Sequence, residues 1–245
     1  MDVSVIIPAR NERGFIGSGL LALEQQTYDG VWEAIVVDNA SCDHTGDAVR
    51  RAFPWVCVIE ERIPGVQRAR EAGRLAATGN ILAFLDADTV PSAQWIENGL
   101  RYFRDPSIAA VTGSYDFYDS GPLLLLGARF VSVCVYPVAL WYTQNIRKSG
   151  IMIGGNCFIR ACALEDIGGF NTAIDFWGDD TDTAIRLARV GRIAYGRDVF
   201  VRTSARRYYR DGIIRTLWNY VYHAARISAC SFREQKHVVK SKARL

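Results

Sequence analysis

Asp86 and Asp88 stand two residues apart, directly after the apolar run Ile81 to Leu85. In an extended chain alternate side chains point the same way, so both carboxylates can face one ligand. A hard divalent cation such as Mn2+ or Mg2+ takes oxygen donors and shares them with substrate phosphates. The same residues also suit a solvated turn in which Asp88 or Thr89 caps a following helix. Asp38 closes a second apolar run and suits either ring nitrogens and ribose hydroxyls or an Asx turn. Asp179, Asp180 and Asp182 form a third acidic group after Gly178. A helix dipole favours acids at its start, and crowded carboxylates raise one another's pKa, which suits one of them to general-base work. Pro8 to Glu12 follow the first apolar run and suit a nucleotide-wrapping loop or a simple turn. Arg68 and Arg70 offer guanidinium groups to a diphosphate or to solvent. Together these groups point to metal-assisted transfer from a diphosphate donor, with a carboxylate deprotonating the incoming hydroxyl.

The elements that must hold these groups alternate along the chain. Val3–Ile7, Trp32–Val37, Val56–Ile59 and Ile81–Leu85 are short runs rich in apolar and β-branched residues, as expected of strands buried on both faces. Helices are expected over about 14–26, 45–51 and 65–77, and over 91–102 with Pro91 in its first turn. This is an α/β pattern with a Rossmann-like, mainly parallel central sheet flanked by helices. Ligands of such sheets bind at the carboxyl ends of the strands, where Asp38 and Asp86 fall. Beyond Val111 the pattern changes. Gly150 to Phe170 reads as loop and short strand, Asp180–Arg189 as a helix and Ile193–Val201 as a strand. The second half is expected to pack onto the first without forming a separate domain.

The chain has 245 residues and a net charge of +3, divided into −6 before Arg202 and +9 from there to the end. Such asymmetry suits an anionic partner or a solubilising tail. The six cysteines, at 42, 57, 134, 157, 162 and 230, form no Cys-x-x-Cys pair. They read as free, mostly buried thiols in a reducing, cytoplasmic compartment. Three histidines do not supply a Cys/His zinc site. The opening residues read as the first strand of the fold and not as a signal peptide. The sequence contains no P-loop, no Gly-x-Gly-x-x-Gly element and no Gly-x-Ser-x-Gly elbow.

In their order, these segments resemble the family-2 glycosyltransferases of the GT-A fold. The resemblance is carried by Ser4 to Glu12, Val36 to Thr45, Pro64 to Gly73, Phe84 to Thr89, Gly154 to Arg160, Ile167 to Asn171 and Gly178 to Leu187. Glu71 stands where the family usually has Asn, and Asp179 where it has Glu. The resemblance implies inverting transfer of a sugar from a UDP- or GDP-linked donor. Pro8, Ala9, Glu12, Asp38, Arg68, Asp86 and Ala87 would then bind the nucleotide sugar. Asp88 would be the direct metal ligand, with Asp86 in the metal shell. Asp180 would be the catalytic base, and Gly155, Asn156 and Asp179 would lie on the acceptor side. Arg206 and Arg207 would reach the diphosphate. The Gln-x-x-Arg-Trp element of processive synthases is absent, which implies one sugar per event. The catalytic domain would span 1–207, with a nucleotide-binding half to about 115 and an acceptor half from about 116. Residues 208–245 would form a basic helical tail.

Leu123 to Tyr142 has the length of a membrane span, but Arg129 near its middle is costly there. A buried or interfacial helix is therefore expected. An interfacial helix with Arg226, Arg233, Lys236, Lys240, Lys242 and Arg244 would bring the enzyme to the inner face of the cytoplasmic membrane, facing a glycan or lipid-linked acceptor. The rival use of the segment is as core or as an interface with a second copy of the chain. A sugar-phosphate nucleotidyltransferase is the alternative activity. No nucleic-acid-binding motif accompanies the basic tail.

Overall fold

The computed structural model describes residues 2–147, 149–174, 177–220, 222–223 and 226–227. Cys230, Arg233, Lys236, Lys240, Lys242 and Arg244 lie outside them. The first four strands are β1 (Val3–Ala9), β2 (Trp32–Asp38), β3 (Cys57–Glu60) and β4 (Ile81–Leu85). They pair in parallel in the order β3-β2-β1-β4. Helices α1 (Ile16–Glu24), α2 (Thr45–Ala52) and α3 (Val66–Ala76) connect them.

The period-2 alternation of β1 divides the core between the two faces of the sheet. Val5 and Ile7 pack with Leu20, Leu23, Val49 and Trp95 on one face. Ile6 packs with Ala69, Leu82, Phe84, Leu164 and Phe170 on the other. Both faces are covered by buried apolar side chains, which is why these strands read as continuous apolar runs.

The second half extends the same sheet. Strands β6 (Ile108–Phe117), β7 (Asn156–Arg160), β8 (Arg192–Thr203) and β5 (Thr89–Pro91) continue it in the order β7-β6-β8-β5. β7 runs antiparallel between β4 and β6, and β5 antiparallel to β8, so the sheet is mainly parallel. Pro91 thus ends a strand and does not open a helix; α4 begins at Trp95 and runs to Tyr102. The N-cap is Gln94, so neither Asp88 nor Thr89 caps it. Helices α7 (Ala161–Asp166) and α8 (Asp179–Leu187) cover the second face, and α9 (Arg206–Asp211) precedes a further helical stretch over 213–220.

Pro122 to Asn145 form one helical rod of 24 residues: α5 (Pro122–Phe130), a π-helical turn (Val131–Val135) and α6 (Tyr136–Asn145). It is long and apolar enough to cross a membrane, and only 17% of its most apolar window is buried. The expectation of a buried helix therefore fails. Leu123, Leu126, Phe130, Val133, Val138 and Trp141 are exposed. The opposite face is tied to the sheet along its length. Arg129 pairs with Asp116 at 2.8 Å, the Tyr195 hydroxyl donates to the Ser132 carbonyl at 2.7 Å, and Gln144 donates to the Ile193 carbonyl at 2.6 Å. The thiols are free as expected, but Cys42, Cys57, Cys134 and Cys162 are exposed and only Cys157 is buried among those described.

Candidate functional site

The carboxyl ends of β1, β2 and β4 form one rim, and the acidic side chains gather there around two arginines. Arg70 lies on the buried face of α3, one turn before Gly73. Its Nη1 donates to Asp179 Oδ2 at 2.8 Å and to Asp180 Oδ1 at 2.9 Å, while Nη2 stands 3.6 Å from Asp86 Oδ1. The Arg70 side chain is 5% exposed. Burial alone would lower its pKa, but Asp180, Asp179 and Asp86 reverse the shift and hold it charged. α8 starts at Asp179, so both adjacent acids occupy its first turn. There the unpaired N–H groups and helix dipole favour negative charge.

Asp179 is the more enclosed of the pair, at 11% side-chain exposure against 32% for Asp180. Burial, then the Asp180 carboxylate, push the Asp179 carboxyl well above its ordinary range, against the pull of Arg70. Asp180 is also held by the Gly154 N–H, which donates to its Oδ2 at 2.9 Å. Asp86 donates its own N–H to the Gly155 carbonyl at 3.2 Å. A Cβ on Gly154 would stand 1.9 Å from Asp180 Oδ1, and one on Gly155 2.1 Å from Asp86 Oδ2. The Gly-Gly pair is thus the space in which two carboxylates approach the same backbone. Burial, then the neighbouring Asp88 and Asp180, raise the Asp86 carboxyl, with Arg70 opposing.

Asp88 does not share this centre. Residues 86–88 form a turn, with the Thr89 N–H donating to the Asp86 carbonyl at 3.1 Å. The extended geometry of β4 therefore ends at Leu85, and the two carboxylates, though still neighbours, take different arginine partners. Asp88 Oδ2 accepts from Arg206 Nε at 3.1 Å and its Oδ1 from Thr203 Oγ1 at 3.3 Å. The same guanidinium reaches Glu12 and stacks over the Phe15 ring at 4.1 Å. Glu12 Oε2 is buried without a hydrogen-bond partner. Burial raises the Glu12 carboxyl, and Arg206 opposes the shift.

The remaining expected residues take varied positions. Pro8 and Ala9 end β1 beside Val37 and Asp38 of β2, and Ala87 is buried in the turn. Asp38 has a structural occupation, since its Oδ1 accepts the Ser41 N–H and its Oδ2 the Gly46 N–H. Arg68 is half-buried, its stem beside Gly65, and it is Arg70 that faces the carboxylates. Asn156 does not face an acceptor. It is 1% exposed, accepts from Trp95 Nε1 and donates to the Ser114 and Val199 carbonyls, so it is a buried cross-link between α4, β6 and β8. Glu71, the residue that departs from the family pattern, accepts the Phe170 N–H and pairs with Arg74, anchoring α3 to the loop before α8. Arg207 donates to the Tyr220 hydroxyl at 3.0 Å. Tyr220 meets Trp177 edge-on at 5.1 Å, and Trp177 stacks on His223 at 5.9 Å. This aromatic wall beside Gly178 carries no sequence signal beyond its composition. A groove of about 850 Å³ lined by Trp141, Gln144, Tyr195 and Arg197 lies at the opposite end of the strands, away from the acidic rim.

Among the described residues no three His, Cys, Asp or Glu side chains converge into a protein cage. Mg2+ and similar cations are commonly held by one or two carboxylates plus substrate phosphates. Asp88, 17% exposed at the rim and close enough to Asp86 to raise its carboxyl, fits that second arrangement.

Comparison with known proteins gives a consistent result. The family described as glycosyl transferase family 2 matches residues 4–168. The chain is 33% identical over 183 residues to glycosyltransferase AglE of Haloferax volcanii, covering 72% of this chain and 58% of that protein. It is 30% identical over 222 residues to the pre-mycofactocin glycosyltransferase of Mycobacterium tuberculosis, covering 87% of this chain and 45% of that protein. The chain thus spans about half the length of these curated relatives. Among solved structures, the mannosyltransferase PcManGT of Pyrobaculum calidifontis, in complex with GDP-Man and Mn2+, superposes with a TM-score of 0.69 at 28% identity, over 91% of this chain and 63% of that one. TarS of S. aureus in complex with UDP shares the fold, with a TM-score of 0.65 at 17% identity, over 94% of this chain and 65% of that one.

Proposed function

The chain belongs to glycosyl transferase family 2 and has its GT-A-like α/β fold, and on that footing we propose that it transfers a single sugar, with inversion, from a UDP- or GDP-linked donor to a hydroxyl of a glycan or lipid-linked acceptor. Family membership displaces the nucleotidyltransferase alternative. The observation that carries the reading is the separation of two acidic centres on one rim: Asp88 beside Arg206, and Asp180 beside Arg70. One suits the leaving diphosphate and the other the incoming hydroxyl.

In this reading Asp88 holds Mn2+ or Mg2+, with Asp86 alongside; when bound, such a cation supplies positive charge to the leaving diphosphate. Pro8, Ala9, Glu12 and Asp38 border the nucleotide. Asp38 retains lone pairs beyond the two N–H bonds it already accepts. Asp180 takes the proton of the acceptor hydroxyl. Its more exposed face is open to the cleft, while Arg70 and the Gly154 N–H fix its orientation. Asp179, its carboxyl raised by burial, shapes the acceptor side with Gly155. The half-boundary near 115 falls within β6, so the nucleotide and acceptor halves are divisions of labour on one sheet, followed from about 208 by the basic segment.

Substituting Asp88→Ala should nearly abolish release of nucleoside diphosphate in a screen of UDP- and GDP-sugars with Mn2+. Unchanged turnover in that variant, or full activity in excess EDTA, would sink the metal assignment.

The acceptor is proposed to be presented at an anionic membrane surface on the cytoplasmic side. The helical rod cannot both span a bilayer and keep its polar ties to the sheet, because spanning would strand Arg129–Asp116 and the Gln144 contact. Lying in the interface instead leaves those ties intact and buries the exposed Leu126, Phe130 and Trp141. A second apolar patch supports this reading. Ile214, Leu217 and Trp218 are exposed on the 213–220 stretch, with Arg210 and Arg215 nearby in sequence. The Tyr209 hydroxyl accepts the Gly121 N–H at the head of α5, tying the two patches together beside the rim. Flotation with vesicles rich in anionic lipid should carry the chain upward at low salt and less so at high salt. Failure to float under either condition, with self-association in sedimentation, would assign the face to a second copy.

A further inference from the structure

The Asp88 carboxylate carries a cation already, and that cation is a side chain. Arg206 reaches it across 118 residues of sequence, with Nε on Asp88 Oδ2 and the other end of the guanidinium on Glu12. The placement is not that of a wandering surface arginine. The segment before it is clamped by Asp119, whose carboxylate accepts from Ser204 Oγ at 2.5 Å and from the Ala205 N–H at 2.6 Å. Phe15 supplies a flat face under the guanidinium, a cation–π contact. The Arg206 side chain is 36% exposed, whereas Glu12 and Asp88 are 16% and 17% exposed, so it can swing away readily only when another cation takes its place at Asp88.

Resting on the metal reading above, we infer that Arg206 is a resident counter-cation of Asp88, which a divalent cation must displace, so that metal and nucleoside diphosphate bind cooperatively. A divalent cation on either oxygen of Asp88 would stand beside the guanidinium already held by that carboxylate, and the repulsion between the two positive charges disfavours joint occupancy. A diphosphate entering the rim removes the conflict, because its oxygens offer Arg206 a bidentate partner better than Asp88. The arginine then moves from the protein carboxylate to the donor, and Asp88 is freed when the donor arrives. The coupling is reciprocal: whatever diphosphate gains by recruiting Arg206, the cation gains at Asp88.

The test is Mn2+ binding by the full chain, read from the loss of the free-ion electron paramagnetic resonance signal, without any sugar transfer. Without nucleotide, Arg206→Gln should bind Mn2+ about fivefold or more tightly than the wild type. Saturating UDP or GDP should tighten Mn2+ strongly in the wild type and much less in the variant. Asp119→Asn, which loosens the clamp and leaves the guanidinium in place, should move Mn2+ affinity the same way by a smaller factor, and serves if Arg206→Gln does not fold. Equal or weaker Mn2+ binding by both variants, in a wild type that does bind Mn2+ with UDP or GDP present, overturns the inference alone. A wild type that binds no Mn2+ even with either nucleotide overturns the metal reading and this inference with it.

Discussion

Arg70 and Arg206 each gather carboxylates at the same rim, one at 5% side-chain exposure and the other at 36%. Arg70 is enclosed by α3, α8 and the Gly154–Gly155 turn, and three aspartates converge on it. Taking a charge out of water costs several kcal/mol, and its partners must return that cost through close contacts. Such a centre is rigid, because moving any member strands the rest. Arg206 bridges Glu12 and Asp88 from the edge of solvent: its guanidinium is partly screened by water, while the two carboxylates, 16% and 17% exposed, stay mostly enclosed. The difference teaches where each can serve. A base needs fixed orientation, which the Arg70 centre provides. A site that must accept and release a charged donor needs a counter-ion that can leave, which the Arg206 centre provides.

The largest effect expected from perturbing the comparison is on turnover. Asp180→Asn should lower transfer by about 10²–10⁴-fold while leaving nucleotide binding near wild type, measured as turnover against nucleoside-diphosphate affinity. Loss of nucleotide binding in a folded variant would move Asp180 to the donor side. Next comes stability. Arg70→Met leaves Asp179, Asp180 and Asp86 without their cation and should cost about 3–5 kcal/mol in chemical denaturation. Arg206→Gln should cost less, about 1–2 kcal/mol, from the charged partner lost by the mostly enclosed Glu12 and Asp88; equal costs would erase the distinction between the two centres. Gly154→Ala should fall between them, since a methyl must displace Asp180 Oδ1 or the turn itself. A cost of about 1–3 kcal/mol is expected, with loss of turnover because the base moves.

The smallest effect is a pH dependence. The Asp179 carboxyl is raised in the folded chain by burial and by Asp180. A raised acid stabilises the fold fully below its unfolded pKa of about 4 and loses that contribution as pH rises through the folded value. Asp179→Asn cannot ionise, so its stability relative to wild type should improve as pH rises from about 4. Thermal melts across that range check the sign, and a constant difference between the two proteins would contradict a raised Asp179 carboxyl.

The first half of the sheet was legible because its strands are apolar on both faces and end on conspicuous acids. In the second half α8 and β8 were legible to within two residues, but β6 and β5 were not. β6 reads Ile-Ala-Ala-Val-Thr-Gly-Ser-Tyr-Asp-Phe, and its Thr112, Ser114 and Asp116 break the apolar signal although all three are buried. Their partners, among them Ile153, Arg197 and Arg129, come from distant segments, so no local pattern announces a core strand. β5 is three residues ending in proline, tolerated because it lies at the sheet edge and pairs only with β8.

Sequence by itself determined which acids stand at strand ends and helix starts, because strand period, apolar runs and helix-end electrostatics are local. It also carried the ordered set of segments by which the family is recognised. The tertiary structure decided how those acids are shared. Asp86 and Asp88 are two residues apart yet face different arginines, because the chain turns after Leu85 and because Arg70 and Arg206 arrive on separate elements. It likewise buried Asn156, turned Arg70 inward in place of Arg68, and left the apolar rod on the surface. Each of these outcomes depends on what packs against a residue from far along the chain, and pairwise burial of that kind has no local signature.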